Sequence, residues 1–218
     1  MRIIDQLFLQ NKAWAEERAE LDPEFFLRLS QTQQPHTLWI GCSDSRVSVN
    51  VITETEPGEI FVHRNIANLV VSTDFNLLSV IEYAVDVLQV EQIILCGHEG
   101  CGGIQTALTM PDSHELVFVG TWLRNIRDTY RLHRQEIDAL ENKEDRVNRL
   151  AELSAREQAH NLAQSFIIQR AWQRGQPLTI HGVMYSLKTG TLRPIVEMAS
   201  PPPALGPAIE GGRQQAAS

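Results

Sequence analysis

Two hydrophobic periods alternate along this chain, one near 3.6 residues and one of unbroken apolar runs. From Ile3 to Leu21 the apolar positions Ile3, Ile4, Leu7 and Phe8 recur on one side of a predicted helix. Asp22-Pro23 reads as the start of a second helix carrying Phe25, Phe26 and Leu29. The first strand follows at Thr37 to Ile40, and Glu59 to His63 is the second, after a Pro57-Gly58 turn. Ser72 or Thr73 is placed to cap a helix reaching about Val90, with Leu77, Leu78, Ile81, Ala84, Val85 and Leu88 on its apolar face. Gln92 to Cys96 is a third strand. Helical periodicity then covers Leu116 to Leu140, and a long helix is expected from Lys143 to about Arg174, ending at Gly175. Leu178 to Tyr185 is a fourth strand. Lys188-Thr189-Gly190 turns it into a last one, Leu192 to Met198.

Strands that alternate with helices predict an α/β fold with a mostly parallel central sheet flanked by helices. The final turn predicts an antiparallel edge strand. The division expected is an N-terminal helical arm over residues 1–35 and one α/β domain over 36–199. The remaining 200–218 form a Pro-, Gly- and Ala-rich tail expected to be disordered. The apolar faces of the arm need burial, on this domain or on a neighbouring subunit. In sheets of this kind ligands bind at the carboxyl ends of the strands, near a switch in strand order.

A formal net charge of −8 argues against nucleic acid as a partner, because phosphate binding needs clustered Lys and Arg. No apolar run is long enough to span a bilayer, and the N-terminus soon turns polar and acidic, unlike a signal peptide. A cytoplasmic location is the expectation. The 3 cysteines point to metal binding or catalysis more than to a disulfide framework.

The chemistry gathers at two strand ends. Gly97-His98-Glu99-Gly100-Cys101-Gly102-Gly103 follows the third strand, and Gly41-Cys42-Ser43-Asp44-Ser45-Arg46 follows the first. Cys42, His98 and Cys101 could meet on one zinc, a donor set that leaves a fourth position open as catalytic zinc sites do. Asp44 could accept a hydrogen bond from the species at that position, with Arg46 holding it ionised, or could itself become the fourth ligand. Each residue alone has a plainer reading: Cys42 as core, His98 as a loop histidine, Asp44 and Arg46 as a surface ion pair. A closed structural zinc site is disfavoured because a fourth Cys or His is missing. Cys96 reads as core; His63 and His181 read as structural or pocket-lining. A thiol redox protein using Cys96 and Cys101 is a competing reading, weakened because their spacing is not Cys-x-x-Cys.

With these residues the chain resembles the beta-class carbonic anhydrases, notably the bacterial type in which an Asp can close the zinc site. The resemblance rests on Cys42-Ser43-Asp44-Ser45-Arg46, His63-Arg64-Asn65-Ile66-Ala67-Asn68, His98-Glu99-Gly100-Cys101-Gly102-Gly103 and His181-Gly182-Val183-Met184-Tyr185, in the family's order. It implies reversible hydration of carbon dioxide to bicarbonate by metal-hydroxide attack, in a homodimer or homotetramer. It also implies Cys42, His98 and Cys101 as zinc ligands and Asp44 with Arg46 as the catalytic dyad. Matching positions in a subset of the family, Trp39, Arg64 and Tyr185, imply a regulatory bicarbonate site. Tyr83 and Val87, one turn apart on the helix before the His98 strand, are candidates to line the substrate pocket. Ser48 stands where many relatives have Pro, and Glu99 where close bacterial relatives often have Tyr. The rivals that keep every ligand are a hydrolase of another small linear molecule, such as carbon disulfide, and a non-catalytic zinc- or bicarbonate-binding scaffold.

Overall fold

All of the strands expected from the apolar runs form one five-stranded sheet in the computed structural model, which describes residues 2–110 and 116–200. They are β1 (Thr37–Cys42), β2 (Ile60–Asn65), β3 (Gln92–His98), β4 (Thr179–Tyr185) and β5 (Leu192–Ala199), in the order β2-β1-β3-β4-β5. The first four run parallel; β5 pairs antiparallel with β4 at the edge. The chain passes from β1 outward to β2, then back across β1 to β3. The order therefore switches at the β1–β3 pair, where ligands of open parallel sheets bind. Pairing carries β1 and β3 two residues beyond their expected ends, so Cys42 and His98 are the last residues of their strands.

The helices differ more from the pattern. The arm is α1 (Ile3–Leu21) and α2 (Phe25–Gln31). Between β1 and β2 lies a short helix, α3 (Val49–Thr53), which the pattern did not announce. Asp74, and neither Ser72 nor Thr73, caps α4 (Phe75–Glu82) by accepting the Asn76 N–H at 3.0 Å. This helix loosens into a π-turn over Tyr83–Val87. Directly after Cys101 comes α5 (Gly102–Thr109), hidden in the sequence by its two leading glycines. The stretch expected to be helical from Leu116 is three helices: α6 (Val117–Trp122), α7 (Arg124–Leu132) and α8 (Arg134–Asp138). The expected long helix breaks at Ser165 into α9 (Lys143–Gln164) and α10 (Phe166–Gln173). Ser165 adopts an extended backbone and its hydroxyl accepts the Ile168 N–H, starting the second helix. The tail expectation concerns residues that lie, apart from Ser200, outside those described.

Strand alternation divides the interior. Leu38, Ile40, Ile93, Leu95 and Ile180 face the main core with α4, α9 and α10. Trp39, Cys96 and Tyr185 belong to a smaller cluster with Val47 and Val49. Close approach of α9 to the sheet explains Gly97: a Cβ there would stand 2.7 Å from Met184 Sδ and 3.0 Å from Ala155 Cβ. Nothing in α1 is buried. Trp14, Phe25 and Phe26 pack edge to face with one another, Arg18 pairs with Glu56, and Ile3, Leu7 and Phe8 stay exposed on the single chain. No helix among the described residues is long and apolar enough to cross a membrane.

The Gly97→Ala substitution should lower stability by about 1–3 kcal/mol, because Ala155 is held by a helix backbone and cannot swing aside. Urea unfolding of the two proteins checks this.

Candidate metal centre

The end of β1 and the turn after β3 bring Cys42, His98 and Cys101 together, their donor atoms all within 4.8 Å of one another and all three residues buried. The two sulfurs are 3.9 Å apart. Two thiolates on a tetrahedral zinc, each about 2.3 Å from it, would stand about 3.8 Å apart, so the pair has the separation that zinc needs. His98 Nδ1 donates to the Glu99 carbonyl at 2.9 Å; a carbonyl only accepts, so the hydrogen is on Nδ1 and Nε2 offers a lone pair. That Nε2 is buried and has no hydrogen-bond partner. An orphaned imidazole lone pair beside two thiols is a donor set suited to zinc.

Charge in the cluster favours one thiolate. The hydrogen bond from Cys101 pulls the Cys42 thiol well below its ordinary value, against the effect of burial and helped by the Ala67 N–H. The same bond, with burial, drives Cys101 up. Ala67 N–H reaches Cys42 Sγ at 3.4 Å, which requires the left-handed backbone of Ala67 (φ 63°). Sequence reasoning matched Ala67 as part of a motif but assigned it no role; an N–H leaves no side-chain signature. Gly103 lets this corner close, since a Cβ there would lie 3.0 Å from Ile66 Cγ2 and 3.1 Å from Ala67 Cβ.

Asp44 stands at the side of the cluster, Oδ2 3.8 Å from His98 Nε2. Arg46 grips it twice, Nε to Oδ1 at 2.9 Å and Nη2 to Oδ2 at 2.7 Å, and its backbone N–H adds a third bond at 3.0 Å. This guanidinium holds the Asp44 carboxyl far below the usual carboxylate range, against a smaller opposing effect of burial. Arg46 Nη2 also reaches the Gly100 carbonyl at 3.3 Å, tying the first ligand loop to the second.

Trp39 and Tyr185 share the smaller packing cluster, and Arg64 stands on β2 opposite Gly41. Trp39 Nε1 is buried without a partner, pressed so close over Gly41 that a Cβ there would come within 2.5 Å of it. Arg64 is engaged: Nε donates to the Cys42 carbonyl at 2.9 Å and Nη2 to the Asp44 carbonyl at 2.6 Å. Cys96 is buried, its thiol donating to the Gly97 carbonyl, and burial pushes it up to about 12. It packs with Trp39 and Tyr185 and is not one of the converging donors. Burial pulls the His63 pKa down, and His181 Nε2 is 2.7 Å from Gln92 Oε1.

Tyr83 and Val87 are not brought to the cluster. Tyr83 stacks on Phe61, which pairs with Leu38, four residues before Cys42 on β1. Both side chains are about half exposed. An open apolar cleft of about 1040 Å³ lies elsewhere, lined by Ile66, Val71, Val119 and Trp122 and bordered by Ser43, from the loop after Cys42, and Asn65, the last residue of β2.

Because Arg46 outweighs burial and leaves Asp44 with a lowered pKa, ionised Asp44 contributes stability above the ordinary carboxylate range. That contribution is lost as pH falls from about 4 through the lower folded value. Metal-free Asp44→Asn should therefore be less stable than metal-free wild type at pH 7, with the gap narrowing on acidification below about 4. Urea unfolding over a pH series measures the gap.

Comparison with known proteins matches residues 37–192 to the family described as carbonic anhydrase. A carbonic anhydrase of Emericella nidulans is 46% identical over 189 residues, covering 87% of this chain and 82% of that protein. A beta-carbonic anhydrase of Coccomyxa, solved with acetazolamide, superposes with a TM-score of 0.87 at 33% identity, covering 92% of this chain and 90% of that one. A tetrameric beta-carbonic anhydrase from Sordaria macrospora gives 0.86 at 38% identity, covering 90% and 98%. Sequence match and superposition together show that the chain belongs to the beta-carbonic anhydrase family.

Proposed function

We propose that this enzyme reversibly hydrates carbon dioxide to bicarbonate and a proton, using one zinc ion per chain held by Cys42, His98 and Cys101. The observation that carries the reading is a buried imidazole lone pair and two thiols in zinc-binding separation, with an ionised carboxylate clamped at their side. Zinc held there supplies Lewis acidity that makes water nucleophilic at neutral pH. Asp44 Oδ2, 3.8 Å from His98 Nε2, would accept a hydrogen bond from a water at the site and so orient its lone pair toward carbon dioxide. Arg46 keeps Asp44 ionised and, by holding both oxygens, keeps it from filling the fourth position itself. Carbon dioxide is small and apolar, and the cleft walled by Ile66, Val71, Val119 and Trp122 gives it a matching approach. A lining role for Tyr83 and Val87 requires a second copy of the chain, since within one chain they stand away from Cys42.

Residues 36–199 then form the catalytic domain and 1–35 an arm whose exposed apolar face is covered in a homodimer or homotetramer, in line with the tetrameric relative from Sordaria macrospora.

Bicarbonate also acts as an inhibitor in this reading, at Trp39, Arg64 and Tyr185. The unpartnered Trp39 N–H supplies a donor, and Arg64 the charge. An anion that takes Arg64 draws it from the carbonyls of Cys42 and Asp44, freeing the loop whose Asp44 can then leave Arg46 and close the metal site. Coupling requires the anion to bind the closed form more tightly than the open one.

Elemental analysis should find zinc lost in Cys42→Ser, His98→Ala and Cys101→Ser, and kept in Cys96→Ser. Asp44→Asn and Arg46→Ala should keep zinc while turnover on carbon dioxide falls on the order of a hundredfold. Normal turnover in both would make the pair structural.

Activity of the wild type should rise with pH, and added bicarbonate should move that rise to higher pH. Arg64→Ala should retain zinc and lose the bicarbonate-dependent shift; an unchanged shift in a bicarbonate titration removes Arg64 from the switch.

A further inference from the structure

The peptide unit joining Glu99 to Gly100 is held from every side. Its oxygen accepts the Nδ1–H of His98 at 2.9 Å, and its N–H donates to Asn148 Oδ1 on α9 at 2.9 Å. The unit before it donates the Glu99 N–H to the Tyr185 carbonyl at 3.0 Å, continuing the β3–β4 ladder one step past its last pair. The Glu99 carboxylate reaches the next residue of that neighbour, accepting the Ser186 hydroxyl at 2.6 Å. Gly100 permits the turn with φ 60°. Glu99 therefore spends its carboxylate on the end of β4.

We propose that Asn148 and the Glu99–Ser186 pair are positioning residues that set the His98 ring for metal binding. The inference rests on the zinc reading above. The His98 ring can turn about its Cβ–Cγ bond, and among the described residues the Nδ1–H···O bond is the one hydrogen bond that fixes that turn. The bond fixes it only as firmly as the acceptor carbonyl is held. Asn148 holds the same planar peptide from its opposite edge, and a bond to the N–H makes the carbonyl a stronger acceptor. Glu99 and Ser186 hold the Cα from which that peptide starts. Outer partners of a metal-binding histidine fix its tautomer and orientation, and their loss costs metal affinity on the order of tenfold or more. Asn148 is 47 positions from Cys101 in the sequence, inside a helix, which is why no motif contains it.

The test is zinc affinity, measured by competition with a chelating indicator, in wild type, Asn148→Leu, Asn148→Asp, Ser186→Ala and Glu99→Gln, with the visible spectrum of each cobalt-substituted protein. Asn148→Leu and Ser186→Ala should each bind zinc about tenfold more weakly and show a displaced cobalt band. Asn148→Asp and Glu99→Gln, which keep an acceptor oxygen, should stay within about threefold of wild type and keep the wild-type band. A purely structural role would lower the unfolding temperature of the metal-free variants and leave affinity and spectrum unchanged. Wild-type affinity and band in both Asn148→Leu and Ser186→Ala overturn the proposal, as does an Asn148→Asp as weak as Asn148→Leu. A wild type that binds no zinc overturns the zinc reading itself, and the positioning proposal with it.

Discussion

Burying two thiols and an imidazole lone pair together is unfavourable unless something positive joins them, and the surrounding architecture answers that demand. Desolvation alone would keep both sulfurs protonated. The fold instead arranges donors toward Cys42: the Cys101 thiol and the Ala67 N–H, the second at the cost of a left-handed alanine. Arg46 then spans from Asp44 to the Gly100 carbonyl, so the two ligand loops share one cation. The site is a meeting of two strand ends in which negative charge has been made tolerable before any ion arrives.

The parallel sheet supplies that meeting. Neighbouring parallel strands end side by side, and the switch in order at β1–β3 leaves no crossover to cover their ends. Residues 41 side by side with 96, and 98 beside 185, bring three motif segments to one edge. Helix α9 fixes the depth of β3 through Gly97 and reaches the turn through Asn148. The same helix thus sets both the strand that carries His98 and the peptide that orients it.

The strands were legible because buried parallel strands are short continuous apolar runs, and the convergence of Cys42, His98 and Cys101 because each sits at or just after the end of such a run. Helix interruptions were less legible. Ser165 broke the long helix through a hydroxyl-to-backbone bond that competes with helix propagation, which hydrophobic periodicity does not register. Glycines hid α5 for the opposite reason, since tertiary packing there overrides poor propensity. Tyr83, on the π-turn that ends the helix before β3, stacks on Phe61 of β2 and does not join Cys42 within the single chain, a relation between copies that one chain's periodicity does not encode. Ala67 acts through its backbone N–H and Asn148 through a side-chain oxygen far along the chain, so no motif marks either.

The contact between Ala67 and Gly103 has a consequence for how this chain can vary. The methyl of residue 67 occupies the space that a side chain at 103 would take, at 3.1 Å from its Cβ position. Ala67 sits at positive φ, where glycine would be relaxed, yet it keeps a methyl that closes the corner against Gly103. Enlarging residue 103 presses on both the methyl of residue 67 and Ile66 Cγ2, 3.0 Å away, so both neighbours must give way together. Position 103 is free to drift only in company with 66 and 67, so accepted substitutions there should be accompanied by compensating substitutions at those positions across diverged descendants of this sequence.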